Sequence, residues 1–280
     1  MKGIIISSRY GLYQVYIDNV IYNVSLRGMI KRKDKVAVGD EVEIDNSFSV
    51  ITRVLPRKTL LKRPIISNVD QLIIVQSLKE PDFSYLLIYK YLTYAKIYGI
   101  KPILIITQID KDKDCSLINE VKNEFEKSHL DIYFVSSKTK DGIEKIIPLF
   151  KNKISCLIGQ SGVGKSSLIN AIDPSFNRDI GEYSEFLHRG KHKTKEVILL
   201  PFEGGFIADT PGFSSLDLDL NKKELAQFFS PFNDNSVKCY YSDCLHTSEN
   251  KCEIKRLVES NEISKVAYEC YLKLLQEAKD

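Results

Sequence analysis

The stretch 159–167, with the sequence GQSGVGKSS, constrains this chain more than any other part of it. It matches the pattern G-x-x-x-x-G-K-[ST], in which glycines let the backbone curl so that successive N–H groups point at one anion. A short buried strand is predicted before it at 154–158 and a helix after it at 166–172, the context in which this pattern binds phosphate. Lys165 then supplies a positive charge to the β- and γ-phosphates, and the Ser166 hydroxyl can ligate Mg²⁺. The predicted phosphate-loop residues are Gly159, Gln160, Ser161, Gly162, Val163, Gly164, Lys165, Ser166 and Ser167.

Composition and charge distribution describe an ordinary globular protein with one basic region. The 280 residues are 43% hydrophobic and 28% charged, and a chain of this length favours two or three domains. Residues 1–65 carry 12 Lys and Arg against 6 Asp and Glu, whereas the rest of the chain is slightly acidic. A basic N-terminal domain favours a polyanionic partner, with RNA as the first candidate, although a solvated basic face gives the same charge count. No apolar run approaches the ~20 residues of a membrane helix, so we expect a cytoplasmic protein without membrane contact.

Residues 1–65 have the pattern of a small β-barrel. Short β-branched or aromatic runs alternate with turn residues, as expected for an OB-fold, and an SH3-like barrel gives a similar pattern. The five predicted strands are Lys2–Ser7, Tyr13–Ile17, Ile21–Leu26, Glu41–Ile44 and Ser49–Val54. OB-folds bind nucleic acid by stacking bases on aromatic side chains that lie beside basic ones. The candidates for RNA contact are Tyr10, Tyr13 and Tyr22 with Arg27, Lys31, Arg32, Lys33 and Lys35.

A basic, proline-flanked linker is predicted at Arg57–Pro64, and beyond it buried apolar runs alternate with helical patterns. This alternation is typical of an α/β domain with a parallel sheet. The predicted strands are Gln71–Gln76, Pro102–Thr107, Ile132–Ser136, Ile154–Ile158, Val197–Leu200 and Phe206–Ala208. The last helix of the chain is predicted to be capped by Asn261. We therefore predict three domains, at 1–65, 66–220 and 221–280.

Two polar motifs lie where consecutive predicted strands end. In the first motif, the carboxylate of Asp110 can accept the N1–H and the N2–H₂ of guanine, whereas adenine offers neither donor and leaves a buried carboxylate unpaired. The second motif can brace the base from the other side, because ligands of α/β sheets bind at the carboxyl ends of the strands. The residues concerned are Thr107, Gln108, Ile109 and Asp110 in the first motif and Ser136, Ser137 and Lys138 in the second. Together the two motifs predict a guanine nucleotide.

Downstream of the phosphate loop, the sequence Asp209-Thr210-Pro211-Gly212 follows a short apolar strand. At such a strand end an aspartate can hold Mg²⁺ through water, and a glycine N–H can meet the γ-phosphate. Alone these four residues indicate only a turn, but in a chain that also has a phosphate loop earlier in its sequence they indicate contact with a nucleoside triphosphate. We therefore predict that Asp209 and Gly212 belong to the catalytic site and that GTP binds with Mg²⁺.

The spacing C-x₄-C-x-H-x₅-C of Cys239, Cys244, His246 and Cys252 predicts a metal site. Three thiolates and one imidazole match the tetrahedral preference of structural Zn²⁺ and leave no position open for catalysis. The segment 231–260 contains few apolar residues, so one structural zinc ion is expected to supply much of its folding free energy. The remaining cysteines are scattered, which suits a reducing compartment better than a disulfide framework.

The order of these motifs is circularly permuted, because ordinary GTPases have the phosphate loop first and the guanine-reading motifs last. Here Asp110 and Ser136–Lys138 precede the phosphate loop, and Asp209–Gly212 follows it. With the N-terminal barrel and the C-terminal Cys/His cluster, nearly the whole chain resembles the ribosome small subunit-dependent GTPase A family. It departs from that family at Thr107–Asp110, where the family usually has Asn-Lys-x-Asp, and at Lys193, where the family tends to have threonine.

The resemblance implies a GTPase that binds the small ribosomal subunit and its rRNA and acts in late maturation of that subunit. It implies that the subunit stimulates hydrolysis of GTP to GDP and phosphate. It also implies that Thr194 ligates Mg²⁺ together with Ser166 and Asp209, and that Thr194 and Lys165 take part in catalysis.

Phe213 stands where many GTPases have a glutamine that orients the attacking water. Phenylalanine cannot do this, so we expect low intrinsic turnover until a partner or another side chain completes the site, and His192 is a candidate. Two alternative functions remain open: a nucleotide-sensing RNA-binding adaptor with negligible hydrolysis, and a GTPase that acts on another RNA. A monomer is the default expectation for the oligomeric state.

Overall fold

The structure, a computed structural model, divides into two compact units. It describes residues 1–9, 11–27, 36–128, 130–176, 197–209 and 216–280. The first unit comprises Met1–Ile73, Gly142–Ile158 and Lys165–Phe213. The second unit comprises Ile74–Asp141, Gly159–Gly164 and Ser214–Asp280.

The N-terminal strands close into a barrel. They are β1 (Lys2–Arg9), β2 (Leu12–Ile17), β3 (Val20–Leu26), β4 (Glu41–Ile44) and β5 (Val50–Val54). Their order around the barrel is β1-β2-β3-β5-β4, with β1 antiparallel to β4 and β3 parallel to β5. Alternate residues of a strand point to the same face, and the inward side chains include Ile5, Val15, Val42 and Ile51, each 0% exposed. The predicted OB-like barrel is confirmed.

A short hairpin follows the barrel, where the sequence predicts a linker. Its strands are β6 (Leu60–Lys62) and β7 (Ile65–Ser67), and strands of three residues flanking Pro64 show no alternating pattern. The Ser67 N–H donates to the Val38 carbonyl of the barrel region at 2.9 Å. A Cβ at Gly39 would lie 2.2 Å from the Ser67 carbonyl oxygen, so this close approach requires glycine. The linker prediction is therefore wrong for this part of the chain.

One six-stranded sheet contains the remaining strands. They are β8 (Gln71–Ser77), β9 (Lys101–Thr107), β10 (Asp131–Phe134), β11 (Ile154–Ile158), β12 (Ile198–Phe202) and β13 (Gly205–Asp209). The order is β10-β9-β8-β11-β13-β12, and the pairs β9–β10 and β11–β13 are parallel, as predicted. β12 instead pairs with β13 in antiparallel, because only Glu203 and Gly204 join them, with φ values of 47° and 72°. A two-residue turn makes a hairpin and cannot cross over between parallel strands, so the prediction of a wholly parallel sheet is wrong at this edge.

The helices of the described ranges lie between the strands of the sheet and beyond its last strand. They are α1 (Tyr85–Ile97), α2 (Ser116–Phe125), α3 (Ile143–Ile146), α4 (Lys165–Ile172), α5 (Lys222–Phe228), α6 (Glu253–Glu259) and α7 (Lys265–Glu277). The start of α7 differs from the prediction, because the Ser264 hydroxyl accepts from the N–H groups of Val266 and Ala267 at 3.1 and 3.4 Å. Asn261 lies beyond the end of α6 with a φ of 57°, so its prediction as the cap is wrong. Of the helices in the described ranges, none has the length and apolar character to cross a membrane.

Candidate nucleotide site and metal centre

The phosphate loop 159–164 connects β11 to the first turn of α4 and has the curled backbone that its sequence predicts. The φ angles of Gly159, Gly162 and Gly164 are 153°, 87° and 96°, a region that residues with side chains rarely adopt. A Cβ at Gly159 would also lie 2.2 Å from the Val75 carbonyl oxygen. Lys165 is half-buried at the start of α4, and Ser166 and Ser167 are exposed beside it. The loop therefore presents successive backbone N–H groups and a helix N-terminus in the order that phosphate binding needs.

Thr107 connects the guanine-reading motif to the phosphate loop. Its hydroxyl donates to the Val163 carbonyl at 2.6 Å, and both residues are buried. The sequence predicts Thr107 among the nucleotide-binding residues, and the structure shows its hydroxyl bonded to the protein backbone. Nothing in the local pattern indicates this contact, because it joins segments 56 residues apart. A hydrogen bond therefore joins the guanine-reading motif to the phosphate loop.

Asp110 and Ser136 come together as predicted. Asp110 lies on the short 3₁₀ turn Ile109–Lys111 after β9, and its Oδ1 accepts from the Ser136 hydroxyl at 2.7 Å. Ser136 is buried, whereas Asp110 is exposed and so accessible to a base. The reason is that the turn carries Asp110 past the end of the strand. Ser137 is half-buried and Lys138 is exposed in the loop that begins at Ser136.

Several predicted residues lie outside the described part of the chain: Tyr10, Lys31, Arg32, Lys33, Lys35, His192, Lys193, Thr194, Thr210, Pro211, Gly212 and Phe213. Asp209 is the last residue of β13, as its predicted place at a strand end requires. Of the barrel candidates for RNA contact, Tyr13 and Tyr22 pack against the barrel core, and Tyr22 stacks on Phe48 with ring centroids 4.4 Å apart. Both tyrosines are therefore only partly buried, while Arg27 is exposed.

The four predicted metal ligands converge in the second unit. The ligand atoms of Cys239, Cys244, His246 and Cys252 all lie within 4.8 Å of one another. His246 Nδ1 is 3.5 Å from Sγ of both Cys239 and Cys252, and those two sulfur atoms are 3.9 Å apart. A zinc tetrahedron with ordinary bond lengths places sulfur and nitrogen about 3.6 Å apart and two sulfur atoms about 3.8 Å apart. The cluster thus has the size and the donor set of a closed zinc site.

The backbone of α5 orients the His246 ring. His246 Nε2 lies 3.2 Å from the Ala226 carbonyl, which can only accept, so Nε2 carries the proton and the Nδ1 lone pair is left for the metal. Burial lowers the pKa of His246 and so favours the neutral imidazole that binds metal ions. Burial also raises the pKa of the Cys244 and Cys252 thiols, and a coordinated cation is the charge that reverses this effect.

The family model of the RsgA GTPases matches residues 54–219. The chain belongs to the RsgA GTPase family. Its relatives include the small ribosomal subunit biogenesis GTPase RsgA of Halalkalibacterium halodurans, which is 38% identical over 99% of this chain and 97% of the relative. The protein of the same name from Malacoplasma penetrans is 40% identical over 92% of each chain. As a member of this family, the chain is a GTP hydrolase, as its motifs predict.

Solved structures support the same family and fold. YjeQ from Thermotoga maritima superposes with a TM-score of 0.84 at 34% identity, over 99% of this chain and 97% of that one. YloQ, described as a circularly permuted GTPase, superposes with a TM-score of 0.80 at 33% identity, over 99% and 94% of the two chains. The predicted fold class, an OB-like barrel with a circularly permuted GTPase domain and a C-terminal Cys/His module, is confirmed.

Proposed function

We propose that this RsgA GTPase acts in the maturation of the small ribosomal subunit and hydrolyses GTP faster when that subunit is bound. The names of the relatives support the proposal, since each is called a small ribosomal subunit biogenesis GTPase and the similarity covers nearly the whole chain. The observation that carries it is this similarity over nearly the whole length of both chains. The Thr107–Val163 hydrogen bond, which joins a guanine-reading motif to a phosphate loop, supports a guanine nucleotide as the bound ligand.

Within the proposed site, the residues divide between base, phosphate and metal. Asp110 reads guanine, and Lys165 with the N–H groups of the phosphate loop binds the β- and γ-phosphates. Mg²⁺ bound with GTP neutralises charge on the transferring phosphoryl group. Its proposed ligands are Ser166, Thr194 and Asp209, and Gly212 meets the γ-phosphate. The base contacts are completed by Ile109, Ser136, Ser137 and Lys138, and Gln108 belongs to the same motif as Asp110.

The proposal assigns one task to each of three domains. The basic barrel at 1–65 binds rRNA, the domain at 66–220 hydrolyses GTP, and the domain at 221–280 is stabilised by one structural zinc ion. The positive charge of the first domain supports the first assignment, and the convergence of its four ligands supports the zinc site. We propose a cytoplasmic monomer, since a ribosomal partner places its work in that compartment.

The decisive experiment measures GTP turnover by the protein alone, with purified small subunits and with large subunits. We expect stimulation by small subunits only, no stimulated turnover of ATP, and a fall in kcat/KM of at least about 100-fold in Lys165→Ala, because a phosphate-stabilising charge is lost. The matched control is Lys145→Ala, which removes an exposed lysine from α3. Equal stimulation by the two subunits, or none by either, would count against the proposed partner.

A second candidate function is a nucleotide-sensing RNA adaptor that binds GTP but scarcely hydrolyses it. Phe213 favours it, because phenylalanine cannot orient the attacking water. Tight GTP binding without turnover in the presence of small subunits would select this function. If His192→Ala leaves the stimulated GTP turnover unchanged, His192 takes no part in the mechanism. If an RNA other than that of the small subunit stimulates turnover, the protein is a GTPase that acts on that RNA.

A further inference from the structure

The segment Ser77–Pro81 connects β8 to α1 and contains none of the motifs that predict the nucleotide site. We call it the bracket segment. It makes a series of polar contacts with the guanine-reading segment Thr107–Lys111, using both main-chain and side-chain atoms. The contacts are Leu78 N–H to the Thr107 carbonyl at 3.1 Å, Gln108 Nε2 to the Glu80 carbonyl at 2.6 Å, Lys79 Nζ to the Lys111 carbonyl at 2.8 Å, and Glu80 Oε2 to Lys111 Nζ at 2.6 Å.

The other side of the bracket segment faces the phosphate loop. A Cβ at Gly162 would lie 3.6 Å from Pro81 Cδ, which is ordinary contact distance. The bracket segment is also closed on itself, because the Ser77 hydroxyl donates to the Pro81 carbonyl at 2.6 Å. A short connection that is internally bonded, is hydrogen-bonded to one part of the site and passes close to the other is preorganised to fix their separation.

Gln108 links the bracket segment to Asp110, the aspartate proposed to read guanine. It stands two residues before Asp110, and its φ of 62° turns the chain out of β9. A left-handed conformation is costly for a residue with a side chain unless neighbouring contacts hold it. The hydrogen bond from the Gln108 amide to the Glu80 carbonyl is such a contact, and it orients the amide, since only the nitrogen can donate.

We propose that the bracket segment is a further part of the nucleotide site, which positions Gln108 and through it holds Asp110 at the distance from the phosphate loop that a guanine nucleotide requires. This inference rests on the proposed function of the same site. Gln108 is a positioning residue in it, and the bracket segment determines affinity and base selectivity rather than the chemical step. Such a role predicts a loss in binding and a smaller advantage of guanine over bases that offer fewer donors to Asp110.

The test uses the full-length protein and two substitutions of Gln108. Gln108→Ala removes the amide, and Gln108→Glu keeps its shape but places a carboxylate against the Glu80 carbonyl. We expect the Kd of fluorescently labelled GDP to rise about tenfold in Gln108→Ala and further in Gln108→Glu. KM for GTP should rise with kcat unchanged, because a lost uniform binding contact affects only KM. Ser77→Ala, which opens the bracket segment without touching Gln108, should change binding in the same direction.

A measurement of base selectivity distinguishes a positioning role of Gln108 from general destabilisation of the fold. Inosine triphosphate lacks the 2-amino group of guanine, so it can form only one of the two hydrogen bonds expected with Asp110. In Gln108→Ala we expect the ratio of GTP to inosine triphosphate affinities to fall, with the melting temperature unchanged. The matched control is Gln276→Ala, an exposed glutamine on α7, which should keep the parent ratio.

The outcomes distinguish this inference from the function on which it rests. If the parent protein does not bind labelled GDP, the proposed function fails together with the inference. If the parent binds and hydrolyses GTP but Gln108→Ala and Gln108→Glu keep its Kd and its base selectivity, the inference alone is overturned. A fall in kcat with KM unchanged would overturn it as well, because it would place Gln108 in the chemical step.

Discussion

The barrel and the Cys/His cluster are two small folded regions that different forces hold together. In the barrel, Ile5, Val15, Val42 and Ile51 are completely buried. Within the segment 237–252, by contrast, Val237 is 79% exposed and Tyr240 is 68% exposed. The fully buried rings that pack against His246, those of Phe232 and Tyr271, come from outside that segment. The backbone of that region consists of turns and a single-turn 3₁₀ helix before Cys239, so regular hydrogen bonding does not compensate.

This difference means that the two regions should lose stability in different ways when residues are substituted. Each core side chain of the barrel contributes about 2 to 5 kcal/mol, and no single one decides whether the barrel folds. A structural zinc ion contributes about 10 to 16 kcal/mol at one point, and that contribution depends on the complete set of ligands. The barrel should therefore weaken gradually under substitution, whereas the cluster should be lost as a whole.

The largest expected effect comes from Cys244→Ser, which removes one thiolate of the cluster. We expect bound zinc to fall well below one equivalent and the segment 239–252 to lose its structure, because the proposed zinc ion would supply most of its folding free energy. Amide hydrogen exchange measures this directly. The N–H groups of Leu245 and Thr247, which donate to the Glu249 carboxylate at 2.8 and 2.7 Å, should lose protection while barrel amides keep theirs.

Cys115→Ser is the matched control for that substitution, because Cys115 is an exposed free cysteine outside the cluster. It should retain one equivalent of zinc and the exchange pattern of the parent. The contrast between the two regions breaks down if Cys244→Ser keeps its zinc and the protection of Leu245.

A smaller effect is expected from Ile51→Ala in the barrel core. The fully buried side chain leaves a cavity when it is shortened, so the free energy of unfolding of the barrel should fall by about 2 to 5 kcal/mol. Zinc content should not change. Ile21→Ala provides the comparison, since Ile21 is 37% exposed and should cost under about 1 kcal/mol. Urea denaturation followed by exchange of barrel amides gives both values, and loss of zinc from Ile51→Ala would show that the regions are not independent.

The smallest effect concerns a turn of the barrel, where hydrogen bonds from the Ser47 hydroxyl and from the N–H groups of Val50 and Ser49 lower the pKa of Asp45 to about 2. A carboxyl whose pKa is lower in the folded state stabilises that state above its unfolded pKa, and the contribution is lost as the pH falls through 2. Carboxyl NMR should give a midpoint near 2 for Asp45, and Ser47→Ala should move it towards 3.8. An unchanged midpoint in Ser47→Ala would contradict the role of that hydroxyl.

Local sequence patterns predict the structure of a residue where that structure depends on its neighbours in the chain. The barrel strands alternate inward and outward residues, and the phosphate loop requires glycines at fixed places, so both were predictable. The zinc ligands are also close in sequence, and their spacing alone indicated the site. The hairpin of β6 and β7 was not predicted because three-residue strands have no measurable period. Ser264 was not predicted as the cap of α7 because Asn261, which is also a residue type that caps helices, stands three residues earlier.

What the sequence could not predict are contacts between distant segments. The hydroxyl of Thr107 reaches a carbonyl 56 residues away, and the Gln108 amide reaches one 28 residues away. Neither acceptor is a side chain, so no residue type marks it in the sequence. The exposure of Asp110 belongs to the same class, because it depends on how far a turn carries the residue beyond its strand.

The contact between His246 and the Ala226 carbonyl would be invisible to mutational scans and to sequence comparison. A saturation scan exchanges side chains and leaves every carbonyl oxygen in place, so position 226 would be scored only for how large a side chain its buried site tolerates. A profile of related sequences would record the same preference for a small residue. The acceptor that selects the imidazole tautomer would leave no trace in either record, although it decides which ring nitrogen of His246 is available to a metal ion.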